Sequence, residues 1–366
     1  MNDHKKFRVG ILGAGFISEF HIRVLKTLPY IDLVAVCDSD AGRAESVGRR
    51  HGIPGVYDSI ARMPEGEVDV VHVLLPPPVH SAAAIECMKK RWNVFVEKPL
   101  AVSVSECREM QRAAEQYECT VGVNHNAIYQ PAFQKLVEGI RQRRLGRVEH
   151  VFVCMNVPLR QLSAGQHGHW MFCDPGNIIL EQAPHPLSQI QYLLGDFRSV
   201  AALPSGEVTL TTGALFYDTW QISAVCDRGS AQCFLSFGKE YFDFWIYAIG
   251  QDGAAFVDLR RNAVQFTEKT RFMPPVEQLY LASKKARNDV GQAGRNLSDY
   301  VLGFLKWKPP ADPMCRSIET SIRAFYEKQM AGQPPLQGLD QGSAVIAVCE
   351  KIAEPVRAVA ASRGAR

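Results

Sequence analysis

Apolar and polar positions in the first third of the chain fall into blocks whose period keeps changing. Phe7–Leu12 is a short apolar run, as in a buried strand, and it passes directly into Gly13-Ala14-Gly15-Phe16-Ile17-Ser18. A helical pattern follows to about Leu28, then a second apolar run, 33–37, which closes at Asp38. Segment 41–51 is helix-like, and 69–75 is apolar until Pro76-Pro77-Pro78 stops it. Residues 81–91 look helical, Val94-Phe95-Val96 strand-like, 103–117 helical, and 120–123 closes the series. Strand-length runs alternating with helix-length segments predict βαβ units and a parallel sheet covered on both faces. Residues 1–125 suffice for one doubly wound α/β domain.

Beyond residue 126 the texture changes. The runs at 148–157, 221–226, 232–237 and 244–249 alternate apolar with polar, which predicts an open, predominantly antiparallel sheet with one covered face. Helical stretches stand at 187–194, 276–304 and 342–361. The chain thus reads as an α/β protein: an N-terminal doubly wound domain, 1–125, and a C-terminal α+β domain, 126–366. The last helix is expected to pack back on the first domain.

Composition bears on compartment and partners more than on fold. With 41 Lys plus Arg against 38 Asp plus Glu the formal charge is +3, too weak to argue for nucleic acid or anionic lipid. No apolar run approaches the ~20 residues of a membrane-spanning helix. Neither nucleic acid nor membrane is therefore expected as a partner. The ten cysteines are scattered without a C-x-x-C pair, and no signal peptide is visible at the N-terminus. Both observations lead to a cytoplasmic expectation. Segment 277–308 is basic and carries an apolar stripe of Val290, Ala293, Leu297, Tyr300, Val301 and Phe304. It is expected to be a solvated helix packed on its own domain.

The glycine-rich turn is the first candidate for chemistry. A strand, then Gly-x-Gly-x-x-Ser, then a helix is the context in which such a turn cradles a pyrophosphate. Gly13 permits the turn, Gly15 lets backbone approach the ligand, and Ser18 is small enough for close helix–strand packing. Phe16 and Ile17 open the helix. Asp38 stands where a carboxylate accepts hydrogen bonds from the adenosine ribose, and no arginine immediately follows it. NAD is therefore favoured over NADP.

The second candidate is Glu97-Lys98-Pro99, at the carboxyl end of a parallel strand, where open α/β sheets bind their ligands. A lysine there can hydrogen-bond a substrate hydroxyl and stabilise an alkoxide. Five elements occur in one order: the glycine turn with Asp38, Pro76-Pro77-x-x-His80, Glu97-Lys98-Pro99, and Pro175-Gly176-x-x-x-x-Glu181-x-x-x-His185. Together they resemble the family of glucose–fructose oxidoreductase, inositol dehydrogenase and the rhizopine-catabolism oxidoreductases.

The resemblance implies a Rossmann domain followed by a domain whose open sheet forms a homodimer or homotetramer interface. It implies cofactor contacts at Pro76, His80, Glu97 and Lys98, with Lys98 touching both nicotinamide and substrate. Glu181 and His185 match the family's Asp-x-x-x-His pair, with Glu in place of Asp. His185 would take the hydroxyl proton, Lys98 would stabilise the oxygen, and Glu181 would hold the imidazole or a second hydroxyl. Pro184 between them is tolerable only in a first helical turn.

Weaker signals complete the reading. Asn126, Tyr129, His169 and Trp170 are expected to line the substrate site, and the His167-Gly168-His169 pair lacks partners at metal-ligand spacing, so no metal is expected. The function expected is hydride transfer between NAD and a secondary hydroxyl of a sugar, glycoside, cyclitol or related polyol. Alternatives are oxidation of an aromatic or cyclic aldehyde hemiacetal, redox-assisted elimination of a glycosidic substituent, and a non-catalytic NAD-binding regulator.

Overall fold

The computed structural model describes residues 6–305 and 312–364. The chain divides into two compact units: Met1–His125 with Ile318–Ala347, and Asn126–Ser317 with Val348–Arg366.

In the first unit, strands β1 (Phe7–Leu12), β2 (Ile31–Cys37), β3 (Gly55–Tyr57), β4 (Val70–Val73), β5 (Asn93–Val96) and β6 (Val121–Val123) form one sheet. The order is β3-β2-β1-β4-β5-β6, and each pairing is parallel. Helices α1 (Phe16–Leu25), α2 (Ala41–His51), α3 (His80–Lys89) and α4 (Val104–Tyr117) connect the strands. Local chemistry sets their ends: Asp40 and Ser103 cap α2 and α4 by accepting the amides of Arg43 and Glu106. The strand order reverses direction between β1 and β4, the crevice where doubly wound sheets take ligands.

Four residues from far along the chain complete this core. Ile318, Ile322, Phe325 and Tyr326 recur at helical spacing and are buried with Ile22, Leu25 and Phe95. Gly122 in β6 makes room for them, since a Cβ there would stand 2.5 Å from the Phe325 ring. The division at residue 125 foreseen from strand texture says nothing of this returning segment.

In the second unit, α5 (Pro131–Arg141) leads into β7 (Val148–Val157), and α6 (Arg160–Ser163), α7 (Asn177–Gln182) and α8 (Pro184–Leu194) follow. Then come β8 (Phe197–Thr209), β9 (Leu215–Cys226), β10 (Gly229–Phe237), β11 (Asp243–Gly250), β12 (Gly253–Asp258) and β13 (Ala263–Glu268). The sheet order is β13-β12-β11-β7-β10-β9-β8. Only the β7–β10 pairing is parallel; the other pairings are antiparallel, as the alternating pattern predicts. Helices α5 and α8 lie against the sheet. The strand registers put Leu203, Val225, Phe234, Tyr247 and Phe256 on one face, and all five are exposed.

Helix α9 (Pro274–Phe304) is solvated and attached to its own unit, though not by the face its apolar stripe suggests. Its apolar stripe does not pack on its own domain: Val290 is 74% and Phe304 80% exposed, and Gln292 is the buried residue of the helix. The helix is held by its polar side instead, through Lys284 to Glu268 at 2.9 Å and Asn296 to the Arg261 carbonyl at 2.7 Å. Lys306 and Lys308 lie outside the described residues. Helices α10 (Pro313–Met330) and α11 (Leu339–Gly364) close the chain, each contributing residues to both units. All ten cysteines are free thiols. Among the described residues no helix is long and apolar enough to cross a membrane.

Candidate active site

The glycine turn follows β1 directly. Gly13 has φ +100°, and a Cβ on it would lie 2.5 Å from the Leu74 carbonyl oxygen, so the turn itself demands glycine. Gly15 is different: a Cβ there would meet nothing within 4 Å. The space beside Gly15, which caps α1 without a side-chain hydrogen bond, is thus open, and its leading amides suit a pyrophosphate. Ser18 is buried and donates its hydroxyl to the Gly15 carbonyl at 2.6 Å. Phe16 is 79% exposed at the head of the helix, with its ring edge-on to Phe20, and Ile17 is half-buried beside it.

Asp38, at the end of β2, is buried and already binds the turn. Its carboxylate accepts the amides of Ala14 at 2.8 Å and Asp40 at 2.9 Å. Arg43, in the first turn of α2, stands 3.6 Å from the same group. Proximity in sequence concealed this arginine, which is five positions away but one helical turn away in space.

Pro76 opens a 3-10 turn after β4 that leads into α3. His80, at the head of α3, is fully buried. Its Nδ1 lies 2.8 Å from the Pro99 carbonyl oxygen and its Nε2 2.6 Å from that of Leu75. His80 therefore ties the loop after β4 to the one after β5, so its effect on a cofactor passes through those loops.

Glu97 and Lys98 follow β5. Glu97 is buried, and its Oε1 accepts from Asn124 Nδ2 at 2.5 Å and from His21 Nε2 at 2.8 Å. Its Oε2 accepts the Lys98 amide at 3.2 Å. Burial by itself pushes this carboxyl up. The bonds from His21 and Asn124, with the charge of Lys98, outweigh it and hold Glu97 below the ordinary range. Behind His21 stands His72, with the two Nδ1 atoms 2.8 Å apart, and His72 Nε2 lies 2.9 Å from the Tyr326 hydroxyl. Burial, then the neighbouring His21, pushes His72 far down, so it is neutral. No motif marked His21, His72, Asn124 or Tyr326. The available signal was polar residues inside apolar runs, as with His72 among Val70, Val71 and Val73.

The second unit has its own cavity, of about 410 Å³. His185 lines it, with Asn126, Gln130 and Gln182 as the other uncharged polar groups. Met155, Phe242, Phe244 and Met314 supply apolar wall. Asn126 is buried and donates Nδ2 to Ser317 Oγ at 3.0 Å. Pro184 occupies the first turn of α8, where its missing amide costs nothing, and Ala183 before it is helical. Glu181 and His185 thus flank the α7–α8 junction. Glu181 accepts the Trp170 indole N–H at 2.9 Å, which joins two foreseen residues. His169 is exposed and accepts the Met171 amide, and Tyr129 is buried; neither lines the cavity. Sequence reasoning missed Gln130, Gln182 and the aromatic pair Phe242 and Phe244. Among the described residues no group of three or more His, Cys, Asp or Glu could hold a metal ion.

Fold and turn together define a dinucleotide-binding protein, and comparison with known proteins agrees. Residues 7–125 match the model of Gfo/Idh/MocA, described as an oxidoreductase family with an NAD-binding Rossmann fold. Over this region, about a third of the chain, the sequence is similar to that family. MocA, a rhizopine catabolism protein of Rhizobium meliloti, is 24% identical over 298 residues, 79% of this chain and 87% of that protein. A trans-1,2-dihydrobenzene-1,2-diol dehydrogenase of Xenopus laevis is 29% identical over 155 residues, 41% of this chain and 46% of that protein. Matches of this kind span less than half the length of the relatives concerned. A crystal structure of an oxidoreductase from Agrobacterium radiobacter, in complex with NAD+, L-tartaric acid and magnesium, is similar with TM-score 0.74. It is 16% identical and covers 97% of each chain, a likeness of fold alone.

Proposed function

We propose that the chain is an NAD-dependent oxidoreductase that moves a hydride between nicotinamide and a secondary hydroxyl or ketone of a sugar, glycoside, cyclitol or related polyol. The carboxyl edge of the parallel sheet carries this reading, because the glycine turn, Asp38 and Glu97-Lys98 all follow its strands. A bound dinucleotide supplies the hydride-accepting ring. Lys98, half-buried next to an ionised Glu97, is the cation for a substrate oxygen that gains alkoxide character. His185, on the cavity wall, takes the hydroxyl proton. Glu181 anchors Trp170 through the indole N–H. NAD is favoured as the dinucleotide by the likeness to an NAD-binding family; Asp38 opposes a 2′-phosphate, while Arg43, 3.6 Å from it, would attract one.

NADH formation, followed across monosaccharides, glycosides, cyclitols and aromatic aldehydes, tests this. Turnover on a polyol is expected, with a loss of roughly 10²–10⁴ in kcat for Lys98→Ala and His185→Ala and NAD affinity retained. Full turnover by Lys98→Ala would overturn the site. Tight NAD binding without turnover of any substrate would favour a regulator.

The lining of Met155, Phe242, Phe244 and Met314 favours a second reading, a ring substrate with one apolar face such as an aromatic or cyclic aldehyde hemiacetal. Aromatic aldehydes outperforming every polyol in the same screen would select it. The exposed apolar face of the second sheet supports pairing of two copies of this chain through it.

A further inference from the structure

Four buried side chains form one line of hydrogen bonds that ends on the carboxylate beside Lys98: Tyr326, His72, His21 and Glu97. They come from α10, β4, α1 and the end of β5, all in the first unit. The direction of each bond follows from the ends. An ionised carboxylate only accepts, so His21 Nε2 carries a hydrogen. The two facing Nδ1 atoms share one hydrogen, because two would clash and none would leave two lone pairs opposed.

Tyr326 decides which ring holds it. If the phenol donates to His72 Nε2, then His72 carries its hydrogen on Nδ1, donates to His21, and every group is satisfied. The opposite polarity needs one more proton. The Nδ1 hydrogen of His72 passes to His21, the incoming proton sits on His72 Nε2, and His21 becomes an imidazolium. The Tyr326 hydrogen then loses its acceptor. A buried donor without a partner is costly, so the phenol biases the whole line toward the unprotonated form.

We propose that Tyr326 is a positioning residue that, by donating to His72 Nε2, holds the shared Nδ1 hydrogen on His72 and so leaves His21 as a donor through Nε2 to the Glu97 carboxylate next to Lys98. The proposal rests on Lys98 being the catalytic cation. Other titratable or charged groups bear on this line. Lys98 acts on Glu97, Glu97 acts on His125, Tyr30 packs against Tyr326, and Arg323 and Glu327 act on Tyr30. His125 is itself buried and pushed down to about 4, so it stays neutral where the line would take its proton. Phe95 and Phe325 pack beside the rings and exclude water.

Two measurements test it. With ¹⁵N-labelled histidine in the full chain, NMR should show His72 protonated on Nδ1 and His21 on Nε2 at neutral pH. The reversed tautomers would overturn the proposal, and this readout requires no turnover. In Tyr326→Phe, His72 loses its donor, so the two polarities come closer in energy and proton uptake starts at higher pH. The acid limb of kcat/KM should move up by about one pH unit, a tenfold loss there, with the rate at alkaline pH within about threefold of wild type. An equal loss at every pH would mean a merely structural role and would also overturn it. His72→Gln should move the same limb. If wild type turns over no substrate while the tautomers are as stated, the Lys98 reading fails and the tautomer assignment stands.

Discussion

Among the described residues the first unit buries more histidines and carboxylates than the second. In the first, Glu97, His21, His72, His80, His125 and Asp38 are all buried, each with a hydrogen-bond partner. The second carries a partly exposed ion-pair cluster. There Arg144, then Lys284, draw the partly exposed Glu268 down to about 2, despite some burial. Its foreseen catalytic group, His185, lines an accessible cavity, and one face of its sheet is bare. A buried network tolerates few changes, because each loss orphans a partner in a dry interior. An open pocket with apolar walls can change residues at little cost to folding.

The largest expected effect breaks the first unit at its turn. Gly13→Ala puts a side chain at φ +100° against the Leu74 carbonyl. It should cost about 2–4 kcal/mol in stability and at least about 100-fold in NAD affinity. Thermal unfolding and titration with NADH would show both, and unchanged NADH affinity would refute the role given to the turn.

A smaller effect measures how far buried polar groups govern stability. Burial pushes His125 from 6.5 to about 4, only partly offset by its bond to Gln337. The unfolded chain therefore takes up a proton that the folded one refuses. Stability from this group is complete above pH ~6.5 and falls as pH drops toward ~4, by roughly 3 kcal/mol in all. Urea unfolding at both ends of that window should show wild type losing more than His125→Gln by this amount. Equal losses would remove His125 from the comparison.

The smallest effect concerns the bare face. Phe234→Lys should change the unfolding free energy of a single chain by no more than about 0.5 kcal/mol. It should nevertheless reduce the solution mass measured by light scattering to that of one copy. An unchanged mass would rule out pairing through this face.

Periodicity alone determined a good deal. The alternation from Phe7 to Val123 specifies a parallel sheet, and the alternating runs after residue 126 specify an antiparallel one. Both follow from burial on two faces or on one. The glycine turn and Glu97-Lys98-Pro99 were legible because backbone geometry and strand ends constrain local sequence. Pro184 was likewise placed correctly, in a first helical turn.

Tertiary structure alone decided where partners come from. Phe325 and Tyr326 join the core of a unit that otherwise ends two hundred residues earlier, and nothing local names that destination. The stripe on α9 shows the converse, since helical periodicity cannot tell which face a neighbour covers. His21 and His72 gain their meaning only where helix, strand and returning helix meet. Hydrogen bonds depend on distances of a few tenths of an ångström, which spacing along a chain does not encode.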